Sequence, residues 1–483
     1  MNLLYPVQLE AMLAILALGT LVAEAVRPFR NVKRLGYVLA AAVLGLLAFS
    51  MVIEPATSLF LNNTYKLDAF ALFFKRLLLF TTSLVLVTAA VFSKELEHGV
   101  TEHYVLILLA SVGMLVLCSA VDFILLFVAL ELITISFFVM NSHHRRDIAS
   151  LEAGTKYLIM GALSSGLVVY GISYIFGTTG QTSFHAVAAA LETRAGGDTA
   201  LSIGILLVLL GLSFKISAVP GHMWTPDVYQ GAPLSATSFL ATGSKTAGIA
   251  LMLTLLFEGL LPARGIWDPM TIYVAGVTLL YGNLGALMQT DLKRLLGYSS
   301  IAHAGYLLMG IVAMNREGLA AILFYIAQYS VSSMAGFLAM AAVIRKGGGA
   351  NLSAFAGLHR RSPLLAAGIA VSMLSLAGVP PLSGFFGKFM LFTAVLKNAL
   401  ISPELVVLAI LAALGVVISM FYYFRVVQTV YVEEPTDPTP IAVGLTLRIA
   451  LTACILITIL AGIFQSPLVD AALTAVAHLS AAL

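Results

Sequence analysis

Four lysines lie inside long apolar stretches, namely Lys156, Lys215, Lys245 and Lys388. A lysine at the centre of a bilayer costs about 2.5–3.5 kcal/mol on insertion scales. A lysine taken out of water has a lowered pKa, so it can change its charge near neutral pH. These residues therefore favour a path for protons or other ions. The alternative is a lysine near a helix end that extends its side chain to the membrane interface.

The four lysines differ in how well this alternative explains them. Lys245 lies in the middle of its stretch, with apolar residues on both sides, so we expect it to stay buried. Lys215 comes shortly before a proline in its stretch, and Lys388 follows a second proline-containing segment. Lys156 is near the start of its stretch, and for this lysine the interface and the buried path are both open explanations.

One acid and one histidine add to this set. Glu131 lies centrally in an apolar stretch, where a carboxylate must be either protonated or paired, and Lys215 and Lys156 are its candidate partners. His303 lies well inside another stretch, and its near-neutral pKa suits proton relay. A packing histidine held by hydrogen bonds is the alternative for His303.

Two of the apolar stretches are interrupted by proline, at residues 218–221 and 378–381. The residues before the two breaks, 212–215 and 374–376, resemble each other. The breaks fall in the seventh and twelfth stretches, and an odd offset of five spans places two related units in opposite orientations. Inverted repeats with broken helices mark the ion pathway in many transporters. Two unrelated proline kinks remain the alternative.

The elements that must position these residues are continuous apolar helices. Of the 483 residues, 60% are hydrophobic and 10% are charged, whereas soluble domains carry about 25% charged residues. Long unbroken stretches predict an all-α polytopic membrane protein rather than a barrel. About fourteen spans are predicted, at residues 9–26, 35–53, 69–92, 104–119, 121–141, 153–176, 201–218, 235–257, 270–289, 295–314, 319–344, 364–396, 404–430 and 441–465.

The chain is predicted to have four parts. Residues 1–100 form a three-helix segment, 101–260 the first five-helix inverted repeat, 261–432 the second, and 433–483 the last span and its tail. The tail after residue 467 is expected to be a short surface helix. The first stretch contains Glu10 and follows no basic region, so we expect a retained span and not a cleaved signal peptide.

Basic residues in the loops predict the orientation, because cytoplasmic loops are enriched in Lys and Arg. With the N-terminus outside, the cytoplasmic loops hold Arg27, Arg30, Lys33, Arg34, Lys94, Arg145, Arg146, Lys293, Arg294, Arg345, Lys346, Arg360, Arg361, Arg425 and Arg448. The outer loops then hold only Lys66, Arg194, Arg264, Arg316 and Lys397. Lys75 and Arg76, early in the third span, are left unassigned. Both termini are therefore predicted to lie outside.

Several chemistries find no support in the sequence. Cys118 and Cys454 both lie in apolar helices and form no disulfide or metal framework. No phosphate-binding motif, clustered cysteines or paired histidines for haem are present. The net charge of +3 is small and gives no indication of nucleic-acid binding. Energy must therefore come from an ion gradient or from a partner subunit.

The run from Gly211 to Pro233 closely resembles the antiporter-like subunits of respiratory complex I, as do the segments around Glu131 and Lys156 and residues 291–303 and 378–381. The resemblance covers nearly the whole chain. Within that family the chain is most similar to the branch called subunit N of bacterial NADH–quinone oxidoreductases. This closer similarity is carried by residues 224–229, by the lysine at 388 and by the end of the chain after span fourteen.

The resemblance implies fourteen spans with two inverted five-helix repeats and a role in proton translocation. It implies that Glu131 and Lys215 form a Glu–Lys pair, that Lys245 is the central lysine and that Lys388 faces an outer half-channel. Lys156 and His303 match polar positions on the axis that connects these charged residues. The family implies no cofactor on this chain, with FMN, iron–sulfur clusters and quinone held by partner subunits of the complex in the bacterial inner membrane.

Other functions share part of this pattern. An Mrp-type cation/proton antiporter subunit also has buried lysines. The corresponding subunit of a hydrogenase-linked or F420H2-linked complex would differ only in its electron donor. For a quinone-binding enzyme, the sequence offers no site for the quinone headgroup.

Overall fold

We analysed the chain as a computed structural model, which describes residues 5–29, 31–56, 58–93, 99–193, 198–399, 402–435 and 437–480. Three basic residues used to predict orientation, Arg30, Lys94 and Arg194, lie outside the described residues. The structure contains no membrane, so the outside location of the termini stays a prediction.

The chain is almost entirely helical. The helices are α1 (Gln8–Val26), α2 (Val32–Ser50), α3 (Ala69–Val91), α4 (Val100–Leu117), α5 (Phe123–Asn141), α6 (Ile148–Thr179), α7 (Phe184–Glu192), α8 (Thr199–Ile216), α9 (Thr225–Gly231), α10 (Leu234–Phe239), α11 (Lys245–Thr254), α12 (Arg264–Leu287), α13 (Leu292–Val312), α14 (Arg316–Val343), α15 (Leu358–Arg361), α16 (Pro363–Ala377), α17 (Ser383–Ala399), α18 (Pro403–Tyr431), α19 (Leu445–Ile463), α20 (Ser466–Ala475) and α21 (Ala477–Ser480).

These helices confirm the predicted all-α membrane architecture. Thirteen helices in the described part of the chain are long and apolar enough to cross a membrane, with α10 and α11 joined as one span, Leu234–Gly259. The predicted twelfth span is divided into α16 and α17, of which α16 is a shorter apolar helix, and the count of fourteen crossings stays a prediction. The tail forms α20 and α21, and α20 packs against α3 and α14.

Acidic and amide side chains define where many of the helices begin. The backbone N–H groups in the first turn of a helix have no partner within the helix. In each case here the side-chain oxygen of the capping residue accepts a hydrogen bond from one of these N–H groups. The capping residues are Asn31, Asp68, Asp122, Asp147, Asp198, Asp291 and Asn315. Five of these capping residues are aspartates, and these acids therefore have a structural role.

Burial separates central from peripheral helices. The α10–α11 span and α14 are wholly buried and α13 is nearly so, whereas α1, α2, α6 and α19 leave most of their apolar surface uncovered. A helix that is apolar and buried on all sides belongs to the interior of a large bundle. The lysine-bearing α11 is thus at the centre of the protein.

Two loops contain structure that the sequence did not predict. Between α2 and α3 an antiparallel hairpin pairs β1 (Leu59–Phe60) with β2 (Tyr65–Lys66). Between α6 and α8 the short helix α7 buries Phe184, Val187 and Leu191. Both segments were too short to give a periodic signal, and both pack because the surrounding bundle offers them an apolar surface.

The helices that precede the two predicted breaks end in the same way. After α8, Ser217 is left-handed with φ 62° and the N–H of Ala218 donates to the carbonyl of Ser213 at 2.9 Å. After α16, Gly378 is left-handed with φ 87° and the N–H of Val379 donates to the carbonyl of Leu374 at 3.0 Å. This matching geometry agrees with two related units. The whole inverted repeat and the four-part division of the chain stay predictions.

The second break is held by a close approach between α16 and α17. A Cβ atom on Gly384 would lie 1.8 Å from the carbonyl oxygen of Ser375. The backbone N–H of Gly384 also faces the Ser375 hydroxyl, at 3.3 Å. Only glycine allows this contact, because any side chain would push the start of α17 away from the end of α16.

We predict that Gly384→Ala lowers the free energy of unfolding by about 1–3 kcal/mol, the usual cost of overpacking a close contact. Gly166→Ala is the matched control, because a Cβ atom on Gly166 in α6 would meet nothing within 4 Å. Thermal denaturation of the purified protein would measure both variants. Equal stability of the two would show that the break tolerates a wider separation.

Candidate functional site

The buried lysines are not the four that the sequence singled out. Within the described residues the buried lysines are Lys66, Lys75, Lys215, Lys245, Lys293 and Lys388. Burial is confirmed for Lys215, Lys245 and Lys388, and of the two explanations left open for Lys156 the structure favours the exposed one. Lys156 is partly exposed, and three lysines that were assigned to loops or left unassigned are buried. Sequence position alone did not reveal which loop residues fold back against the bundle.

Lys215 and Glu131 line one small cavity between α5, α6 and α8. The ammonium of Lys215 donates to the hydroxyl of Thr134 at 2.8 Å, one helical turn from Glu131. Glu131 accepts a hydrogen bond from Ser165 of α6. The predicted pair therefore lines one cavity, but Lys215 bonds the Thr134 hydroxyl and Glu131 the Ser165 hydroxyl, and the two do not bond each other directly.

Lys156 is not the partner of Glu131. Its ammonium contacts Glu152 at 2.7 Å and also Asp227 of α9, and 40% of its side chain is exposed. Arg294 of α13 bonds the other oxygen of Asp227 at 2.5 Å. Burial opposes the charge of Asp227, but the hydrogen bonds from Lys156 and Arg294 outweigh it and hold the pKa of that carboxyl below its usual value. This network ties α6 and α13 to the segment after the first break.

Lys245 is almost fully buried at the start of α11 and points at Ser300 of α13. Its ammonium donates to the Ser300 hydroxyl at 2.5 Å and also to the Ser300 carbonyl. The hydroxyls of Tyr229 and Tyr329 reach the same Ser300 oxygen at 3.1 and 3.2 Å. Ser300 therefore gathers one lysine and two tyrosines at a single point in the bundle.

The segment before Lys245 is a π-helical turn, residues Leu240–Ser244, with a second π-helical turn at Leu255–Gly259. Such turns are rare and are frequent at functional sites, because they widen the helix and change the direction of the following side chains. The predicted span was correct, but periodicity did not predict this irregularity around the central lysine.

His303 is buried between two tyrosines of other helices. Its Nδ1 lies 2.7 Å from the Tyr325 hydroxyl, and its Nε2 lies 3.1 Å from the Tyr423 hydroxyl. Tyr423 also shares a hydrogen bond with Ser299, the neighbour of Ser300. A chain of polar groups thus runs from Lys245 through α13 to His303.

Lys388 completes the row on the other side of His303. Its ammonium donates to the carbonyls of Leu376 and Ala377, at 2.8 and 3.0 Å, and lies 5.0 Å from the centre of the Tyr306 ring. These carbonyls end α16, where the broken helix leaves them without partners within the helix. The break therefore supplies the oxygen atoms that hold the buried charge.

Sequence reasoning missed the tyrosines and serines that link the charged groups. Tyr325, Tyr329 and Tyr423 come from α14 and α18, far along the chain from the residues they contact. Ser299 and Ser300 were visible in the segment around His303, at the spacing that places them on one face of a helix with it. Only the packing of α11, α13, α14 and α18 shows that they meet.

Two further charged clusters lie near the hairpin. Lys75 is fully buried and contacts Glu10 at 2.7 Å and the Tyr65 hydroxyl at 2.6 Å, which joins α1 to α3. Lys66 contacts Asp68 at 2.8 Å and also Glu258. Burial opposes the charge of Lys66, but Glu258 and Asp68 outweigh it and raise the pKa of the lysine. Lys75 and Glu10 balance each other's charge, Lys66 is paired with two carboxylates, and both clusters are separate from the central row.

The central row consists of groups that can gain, lose or pass a proton. Lysine, glutamate and histidine change charge, while serine and tyrosine hydroxyls both donate and accept hydrogen bonds. Within the described residues no group of three or more His, Cys, Asp or Glu side chains is arranged to hold a metal ion. The arrangement is therefore suited to proton transfer across the interior of the bundle.

Comparison with known proteins identifies the family of this sequence. The sequence family described as "NADH:quinone oxidoreductase/Mrp antiporter, TM" matches residues 120–419. A protein named NADH-quinone oxidoreductase subunit N from Moorella thermoacetica is 38% identical, over 97% of this chain and 98% of that protein. The protein of the same name from Heliobacterium modesticaldum is 37% identical, over 96% of this chain and 97% of its own.

Two solved structures are similar to this chain over nearly its whole length. A chain of respiratory complex I from Thermus thermophilus is similar with a TM-score of 0.80 and 28% identity, over 96% of this chain and 98% of that chain. A chain of the Mrp complex from Dietzia has a TM-score of 0.83 over 99% of this chain and 98% of that chain, and at 23% identity it supports the fold alone. The chain thus belongs to the family of membrane proteins described as NADH:quinone oxidoreductase/Mrp antiporter.

Proposed function

We propose that this chain is a proton-translocating membrane subunit of a bacterial NADH–quinone oxidoreductase, equivalent to subunit N. The observation that carries the proposal is the buried row from Lys215 through Lys245 and His303 to Lys388. Within the row, serine and tyrosine hydroxyls lie between Lys245 and His303, while Lys215 bonds the Thr134 hydroxyl and Lys388 bonds the carbonyls that end α16. The identity to proteins named subunit N favours this setting over an Mrp antiporter, whose likeness extends only to the fold.

The residues would act as switches of charge along the row. Each lysine of the row is held by neutral oxygen atoms, so small movements of a neighbouring charge change its affinity for a proton. Glu131 would act on Lys215 across their shared cavity, and Lys245 would pass its proton to the hydroxyls at Ser300. His303 would carry it between Tyr325 and Tyr423, and Lys388 would release it at the second break. Lys156 would act with Asp227 at the end of the row that lies near α9.

Electron transfer would take place elsewhere. NADH, FMN, iron–sulfur clusters and quinone would be held by partner subunits, and the energy of that reaction would reach this chain as movement or as a change of charge at the interface. The uncovered apolar faces of α1, α2 and α6 would contact lipid or the other membrane subunits. The complex would lie in the inner membrane, with both termini of this chain outside.

Lys245→Ala is predicted to reduce proton pumping by the assembled complex several-fold, because it removes the charge at the centre of the row. Lys397→Ala is the matched control, since that lysine is exposed at the end of α17 and pairs with Glu317, at 2.7 Å. Pumping would be measured in inside-out vesicles by a pH-sensitive dye. Unchanged pumping by the Lys245 variant would reject the proposed path.

Glu131→Gln is predicted to impair pumping less than Lys245→Ala. Glutamine keeps an acceptor for Ser165 and leaves Lys215 bonded to Thr134, so the lysine site stays in place. The same vesicle assay would compare the two variants at equal amounts of assembled complex. A larger defect in the glutamine variant would make the carboxylate, and not the central lysine, the main switch.

An affinity tag on this chain is predicted to co-purify other membrane subunits together with NADH–quinone oxidoreductase activity. Mild detergent and size-exclusion chromatography would show whether they migrate together. Recovery with small antiporter subunits and without redox activity would favour the Mrp alternative. A stable chain recovered alone would contradict the proposal that it is a subunit.

A further inference from the structure

A buried histidine outside the central row lies near the start of the span that carries Lys245. His103, the fourth residue of α4, is 0% exposed. Its Nε2 lies 2.8 Å from the hydroxyl of Ser235, at the beginning of α10. Its Nδ1 has no hydrogen-bond partner. An unpaired polar atom in a buried site is costly, and such groups often have a functional role.

His103 also contacts the loop that follows α5. Its ring meets the ring of His143 edge to face, with centroids 4.8 Å apart. His144 comes next, with its ring 6.4 Å from that of His143. His143 is partly exposed, and the exposed residues Arg145 and Arg146 follow it. Imidazole rings therefore extend from the protein surface to a fully buried nitrogen.

The Nε2 side of His103 leads towards Lys245. Ser235, Ser238 and Thr242 follow one another at intervals of three and four residues, about one turn each, and Lys245 follows directly after the π-helical turn that contains Thr242. The hydroxyls of Ser238 and Thr242 donate to the carbonyls one turn earlier, at 2.9 and 2.8 Å. Neighbouring hydroxyls are about one helical turn apart, roughly 5.4 Å, a gap that a single water can bridge.

We propose that His143 and His103 form the entrance by which protons reach Lys245. This inference rests on the proposed function, because it supplies the lysine at the centre of the row. A proton would pass from water to His143 and then to Nδ1 of His103. The proton on Nε2 would leave towards Ser235 and continue along the hydroxyls of the α10–α11 span. Only N–H and O–H bonds form and break, and one proton enters for each one that leaves.

The loop after α5 determines the side of the membrane from which this entrance opens. Its arginines belong to the basic set that predicts the cytoplasmic face. Lys388 lies in the other half of the chain, at the second break, and is separated from this entrance by the whole central row. Entry at His143 and release near Lys388 would therefore give the path a direction, from the cytoplasmic side to the outer side.

A purely structural histidine is the competing explanation, and glutamine separates the two. Glutamine can still bond to Ser235 but cannot take up and release a proton at neutral pH. We expect His103→Gln to assemble and to lose proton pumping several-fold per electron transferred in inside-out vesicles. Electron transfer would be measured in the presence of a protonophore. A structural role predicts normal pumping by the glutamine variant.

The matched control is His359→Gln. His359 belongs to the same predicted face and bonds the carbonyl of Val430 at 3.1 Å, but it lies in α15, away from this entrance. We expect its pumping to equal that of the unmodified complex. Two milder variants protect the test against a folding defect at position 103. His143→Gln changes a loop side chain, and Ser235→Ala removes one hydroxyl, and we expect both to lower pumping.

Restoration of pumping by added imidazole is a result that a purely structural role of the histidine would not produce. In inside-out vesicles the cytoplasmic face is exposed to the buffer, so imidazole can replace the lost proton carrier of His143→Gln, and we expect it to restore pumping. Normal pumping by all three variants, with a defect in Lys245→Ala, would overturn the entrance and leave the proposed function standing. Normal pumping by Lys245→Ala as well would instead reject the proposed function.

Discussion

Each buried lysine of this protein needs oxygen atoms to hold its ammonium group once water is removed, and the surrounding architecture supplies them. Lys215 bonds the Thr134 hydroxyl, Lys245 bonds Ser300, and Lys388 bonds the last carbonyls of α16. An ammonium without such partners would be too costly to bury. Helix breaks, π-helical turns and inward hydroxyls therefore occur where the lysines do, in a bundle that is regular and apolar elsewhere.

This constraint also explains why neutral oxygens, and not carboxylates, bond the ammonium groups of the central row directly. A lysine in a closed ion pair, such as Lys75 with Glu10, balances its charge locally and joins two helices. A lysine held only by hydroxyls and carbonyls stays sensitive to charges that move nearby. The protein thus separates closed pairs near the hairpin from open sites in the row. A proton path needs lysines in such open sites.

The fold was largely predictable from the sequence, because each span must carry about twenty apolar residues and every backbone polar group must be bonded within its own helix. The predicted stretches and both proline breaks lie at nearly the observed positions of the helices, of which thirteen in the described part of the chain are long and apolar enough to cross a membrane. The short hairpin, α7 and the π-helical turns were not, since they depend on contacts with the surrounding bundle. The central lysines were found because a charge inside an apolar run stands out by itself.

What the sequence alone determined was the membrane architecture, the two breaks and the residues Lys215, Lys245, Lys388, Glu131 and His303 as candidates for one path. Tertiary structure decided which groups meet. It moved Lys156 to a partly exposed network with Asp227 and showed that Lys66, Lys75 and Lys293 are buried. It also brought the tyrosines of α14 and α18 to His303, and His103 to Ser235. Periodicity shows that a residue is in a helix, but only packing shows which residue of another helix it faces.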